Sequence, residues 1–322
     1  MLKRDDIHRY LLGALEKKVP DKSKLVDILI ETLFMEKGAV YRRLRGEVPF
    51  SFFEVVNIAE KLEVSLNSLV YAGSERINRF ELNFIEYANM NEVDYKHWED
   101  YISFISASKN DPQSCLAESS NFLPFSIYAK YDFISKYFLF KCQYLLHGLE
   151  SRVSFGNFVV PERLQKIHQT YFIESKKFAK TTYIWNKMIF LFLVTDIQFF
   201  TDINLISGND RQLIKDDLFA LLDYIEDITL TGYFEETQKP VSFYISDVNI
   251  DADYCCLQLN NRYLSLVRTF ILNTVGSTEK SSFKKMENWI ESLKKSSTLI
   301  TQSAAAYRAD FFEKQRKLIS DL

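Results

Sequence analysis

The sequence predicts a mainly α protein: a small N-terminal domain of five short helices, then a larger helical domain with a small antiparallel β element near residues 240–272. Three observations lead there. Apolar residues recur at helical spacing along most of the chain. Nine Gly and six Pro in 322 residues supply too few turns for a many-stranded sandwich. Period-two alternation is confined to residues 240–272.

In chain order, Asp5 or Asp6 opens a helix carrying Ile7, Tyr10, Leu11 and Leu15 at helical spacing, ending before Pro20. Asp21 is placed to cap a second helix with Leu25, Ile28, Leu29 and Leu33 inward. A tight turn at 34–36 leads into Lys-Gly-Ala-Val-Tyr-Arg-Arg-Leu-Arg, residues 37–45. There Lys37, Arg42, Arg43 and Arg45 surround Tyr41, while Val40 and Leu44 share the opposite face. Gly46 follows where a left-handed stop suits glycine. Ser51-Phe-Phe-Glu54 has the form of a capping box and opens a fourth helix. Ser65 is placed to cap a fifth, short helix at 64–69.

Five short helices with a basic third resemble the phage-repressor and Cro class of helix-turn-helix DNA-binding domains. The resemblance rests on Leu29-Ile30, Leu33, Val40, Gly46 and the segment Ile58-Ala59-x-x-Leu62-x-Val64-Ser65-Leu66, with ungapped spacing from Leu29 to Gly46. It departs from the family at Gly38, in the first turn of the recognition helix, and at Arg43, where an aromatic is common. Carried over position by position, the resemblance places Lys37, Gly38, Tyr41 and Arg42 on the base-facing surface and assigns Arg43 and Arg45 to phosphates. An arginine fork reads guanine O6 and N7 in the major groove, contributing about 1–3 kcal/mol of discrimination. Phosphate contacts position the helix without reading sequence.

The domain boundary is expected at Ala72-Gly73-Ser74, giving domains at 1–73 and 74–322. Beyond it, candidate helices fall at 77–89, 92–109, 129–149, 161–180, 182–202, 210–229, 281–295 and 302–321. A strand at 241–246 and a hairpin about Asn260-Asn261 form the β element. As a whole this region weakly resembles the uncharacterised C-terminal parts of bacterial regulators that carry repressor-like domains; that likeness implies no ligand and no catalytic residue.

Net charge is −3, with twelve Lys/Arg against eleven Asp/Glu in residues 1–72, so the positive charge that matters is local, at 37–45. There is no GxGxxG, P-loop or GxSxG. Cys115, Cys142, Cys255 and Cys256 lack metal-ligand spacing, and His8, His97, His147 and His168 read as surface or satisfied core residues. No catalytic residue, metal ligand or cofactor is therefore expected. The N-terminus lacks a signal-peptide h-region and the longest apolar run, 188–194, is too short to span a bilayer, pointing to a cytoplasmic protein away from membranes.

The expected function is a transcriptional regulator that inserts a recognition helix at 36–45 into the major groove of double-stranded DNA as a homodimer, with the C-terminal domain dimerising, sensing an effector, or both. One short recognition helix covers few base pairs, and two half-sites about 34 Å apart restore specificity. The alternative is a non-enzymatic scaffold whose repressor-like domain binds a protein. A fused enzyme would require a polar pocket with converging titratable groups in residues 120–270.

Overall fold

The structure is a computed structural model that describes residues 4–64, 66, 79–87, 89–147 and 153–322. The chain divides into two compact units, Met1–Ile77 and Asn78–Leu322. Of the expected fifth helix at 64–69 only Val64, in coil, and Leu66, helical, are described, and its Ser65 cap and the boundary at 72–74 lie outside the described residues.

In the first unit, α1 (Arg4–Lys18), α2 (Lys22–Leu33), α3 (Lys37–Leu44) and α4 (Phe52–Leu62) enclose one apolar cluster. Leu11, Leu15, Leu25, Leu29, Val40 and Ile58 are fully buried in it. The caps explain the boundaries. The Asp21 carboxylate accepts from the amides of Ser23 and Lys24 at 2.8 and 3.3 Å. Ser51 and Glu54 close a reciprocal capping box. Phe34 leaves α2 with φ +51, which bends the chain towards α3.

The second unit corrects the expected fold class. The described chain is 57% helix and 16% strand, and the strands form one eight-stranded mixed sheet, so the protein is not mainly α with a small β element. The strands are β1 (Glu81–Asn83), β2 (Cys115–Ser120), β3 (Lys180–Asn186), β4 (Val241–Ser246), β5 (Tyr254–Leu259), β6 (Arg262–Thr269), β7 (Asn273–Ser277) and β8 (Ser297–Leu299). Their order is β1-β7-β6-β5-β2-β3-β4-β8. β2, β3 and β4 run parallel, and every other neighbouring pair is antiparallel.

Helices cover both faces: α5 (Glu92–Ser106), α6 (Phe125–Tyr128), α7 (Asp132–His147), α8 (Glu162–Glu174), α9 (Ile189–Asp202), α10 (Gly208–Thr231), α11 (Lys280–Lys295) and α12 (Ala305–Ser320). Parallel neighbours need long crossovers, and α6–α8 link β2 to β3 while α9 and α10 link β3 to β4. Alternation in the strands sorts the layers. Tyr183, Trp185, Phe243 and Ile245 pack with α7, α9, α10 and α12. Ile184 and Cys256, from the opposite face, pack on Phe283, Met286, Ile290 and Leu293 of α11. Leu116, Leu257 and Leu259 meet Trp98 and Ile105 of α5 and Leu164, Ile167 and Phe172 of α8 in a third cluster.

The helices expected at 161–180 and 182–202 are thus α8 and α9, separated by β3. A strand covered on both faces reads as a continuous apolar run, and Thr-Thr-Tyr-Ile-Trp shows no period of two. The described part of the expected helix at 77–89 holds β1 and coil.

Candidate functional site

Helix α3 is short, so what it presents depends on its two ends. Glu36 stands at the N-cap in extended backbone with no side-chain cap bond. At the other end Gly46 takes φ +77, a left-handed conformation open to glycine, and donates to the Arg43 carbonyl at 3.0 Å. Val40 is fully buried and anchors the inner face. Lys37, Gly38, Tyr41 and Arg42, related by three- and four-residue steps, are all exposed on the other. A methyl group added at Gly38 would meet nothing within 4 Å.

The three arginines do different jobs. Arg42 and Arg45 reach one carboxylate, Glu47, at 3.8 and 2.7 Å, and all three side chains are well exposed. Such pairs contribute about 0–1 kcal/mol, so a phosphate can replace Glu47 at little cost. Arg43 turns inward. Its Nε and Nη2 donate to the two Glu54 oxygens at 3.1 and 2.8 Å, and both side chains are largely buried. Its carbonyl meets His8 Nε2 at 3.1 Å, and the His8 ring stacks on Phe50. Burial opposes the charge of Glu54, but Arg43 and the Ser51 amide outweigh it and hold the carboxyl below its ordinary range. The residue assigned to a phosphate by resemblance is here a brace between α3 and the cap of α4.

The body holds polar residues that the sequence did not single out. Glu118 on β2 lies opposite Tyr183 on one side and Cys255 on the other. Ser126 Oγ donates to Glu118 Oε2 at 2.8 Å and lies 3.1 Å from Tyr183 Oη. The fully buried Lys176 donates its ammonium to the Ser126 carbonyl and lies over the rings of Phe172 and Phe234 at 4.6 and 4.8 Å. Burial lowers Lys176 to about 7 against the pull of Glu236 and Glu118, and raises the Glu118 carboxyl against its Ser126 bond.

Burial also pushes all four thiols up, Cys142 to about 11 and Cys256 to about 12, so none is poised as a thiolate nucleophile. Among the described residues no three His, Cys, Asp or Glu side chains group as metal ligands. Nor is any helix among them long and apolar enough to cross a membrane.

His168, expected on the surface or satisfied in a core, is buried and makes no hydrogen bond to the described residues. No sequence signal separates it from the other histidines, because its neighbours Trp98 and Phe125 come from α5 and α6.

No protein-family profile, no curated protein and no solved structure matches the chain.

Proposed function

We propose that the protein is a sequence-specific DNA-binding regulator that inserts α3 into the major groove through its N-terminal unit. The observation that carries this reading is the face of Lys37, Gly38, Tyr41 and Arg42, exposed together on a short helix whose back is pinned by Val40. Arg42, at the far end of that face, supplies the fork that matches guanine. Arg45, whose partner among the described residues is exposed Glu47, is the phosphate contact. Arg43 is left out of the interface because a largely buried bidentate pair is costly to break. Double-stranded DNA is the partner in this reading, and two copies are needed to reach useful specificity. The body then supplies dimerisation, effector sensing, or both.

The test is an anisotropy titration of the full chain on DNA flanking its own gene, at two salt concentrations. Arg42→Ala is expected to relax sequence preference, costing about 1–3 kcal/mol on the preferred site alone. Arg45→Ala is expected to weaken binding to all DNA and lower the salt slope by about one. Equal losses from both substitutions on every sequence would refute the division of labour. An absence of binding by the folded protein at low salt would refute the DNA reading.

One observation favours a second reading, a protein-binding module. Phe34, Phe52 and Phe53 in the same unit are 94%, 79% and 77% exposed. Exposed aromatics of this size are enriched where proteins meet proteins. Replacing all three with serine would leave DNA binding intact under the first reading and abolish partner capture under the second.

A further inference from the structure

A cleft of about 330 Å³ opens between the first turns of α7, the 155–157 turn and α8. Its walls are apolar on one side, with Phe133, Phe158 and Val160, while Lys136, His168 and Asp132 supply polar groups. Two of these groups, Lys136 and His168, make no hydrogen bond among the described residues. His168 is 4% exposed, set edge-on to Phe125 with centroids 4.7 Å apart, and neither ring nitrogen has a hydrogen-bond partner among the described residues. Its ring nitrogens are not among the fully buried unpartnered atoms of the described residues, so they open to the cleft, where a ligand hydrogen bond would replace one to water. Lys136 is half-buried over the Phe155 ring at 4.6 Å and makes no ion pair among the described residues. The carboxylate whose charge acts on it is Asp210, beside Gly156.

The helix end itself is not available to an anion. The amides of Phe133 and Ile134 already donate to the Asp217 carboxylate, at 2.7 and 3.3 Å. Anion recognition therefore falls to Lys136 alone, and one cation matches one negative charge. Asp132 at the exposed rim repels a second. At about 30 Å³ for each water-sized unit, the space fits roughly ten non-hydrogen atoms. We propose that this cleft binds a small organic monocarboxylate with an apolar body, its carboxylate on Lys136 and a polar group at its far end on His168. The proposal concerns the body alone and requires no DNA, so it stands or falls separately from the reading of α3.

The probe is 4-hydroxyphenylacetate, titrated into the full chain by calorimetry, with 4-hydroxyphenylethanol as its uncharged counterpart. Saturable one-to-one binding of the acid is expected, and at least about tenfold weaker binding of the alcohol. Lys136→Met should weaken the acid to the level of the alcohol. His168→Phe, which keeps an aromatic ring among its neighbours, should weaken it several-fold. No saturable binding of the acid up to about 10 mM would overturn the proposal. So would equal binding of acid and alcohol to the unmodified protein, a comparison that does not depend on any variant folding. Acid binding undiminished in a folded Lys136→Met variant would likewise place the ligand elsewhere.

Discussion

In the N-terminal unit Arg42 and Arg45 lean on Glu47 in open solvent, and among the described residues only Arg43 and Glu54 withdraw together into partial burial. In the body, by contrast, Lys176 and His168 are buried against aromatic rings with no ion pair among the described residues. The first arrangement keeps charge exchangeable: a polyanion can take the place of a carboxylate with little loss. The second ties polar groups to the state of the core, because each is costly to charge where it sits. Basic side chains thus lie in one unit where their counter-charges are exposed and in the other where carrying charge is costly.

The largest effect that sharpens this contrast is acid sensitivity of the body. Burial lowers His168 to about 3, whereas an unfolded chain holds that proton up to about 6.5. The unfolded state therefore binds more protons between these values, and stability is lost as pH falls from about 6.5 to about 3. This contribution is on the order of 4 kcal/mol. Chemical denaturation across that range should show the loss in the unmodified protein and a shallower slope in His168→Phe. Equal slopes would mean that His168 is solvated and the contrast is overstated.

The next effect concerns the one withdrawn pair of the N-terminal unit. Glu54→Gln leaves Arg43 largely buried with no counter-charge and is expected to cost about 2–3 kcal/mol. Because the Glu54 carboxyl is depressed, the pair contributes fully above the ordinary carboxylate range and is lost as pH falls below it. Hydrogen exchange of the α2–α4 amides in the full chain would report this locally. Arg45→Ala, with an exposed partner, should leave the same amides within about 0.5 kcal/mol.

The smallest effect has opposite signs for stability and binding. Gly38→Ala meets no atom and should stabilise α3 by about 1 kcal/mol, read from the same exchange rates. On the DNA reading, its methyl stands between the helix and the base edges, so affinity should fall although the fold gains. A variant that is both more stable and equally tight on DNA would remove Gly38 from the interface.

The N-terminal unit was largely legible because its determinants are local. Asp21, the Ser51–Glu54 box and Gly46 act within four residues of the groups they satisfy. The role of Arg43 was not legible, since its partner Glu54 lies eleven residues away on another helix. In the body, β5 and β6 pair about Asn260 as their alternation and turn residues predict. The turn joining β6 to β7, residues 270–272, begins with Phe270 and Ile271, both with positive φ, an unusual conformation for these residue types. No turn chemistry announces it, and Ile271 is held by packing against the helical layers. β3 was masked by burial on both faces, and Cys-Leu-Ala-Glu-Ser-Ser of β2 has too few β-branched or aromatic residues to declare itself. Neither His168 nor Lys136 carries a motif; only the meeting of three elements makes them neighbours of one cleft.

The strand order has a consequence for synthesis. Contacts of the N-terminal unit span short stretches, such as the 35 residues between His8 and Arg43. In the body Ile85 waits for Asn273, 188 residues later, and β1 has no partner until β7 emerges. At typical elongation rates that wait is roughly 10–40 s. A nascent chain paused near residue 250 thus displays a finished N-terminal unit beside a half-built sheet, and a chaperone would find its apolar client surface there, in the body.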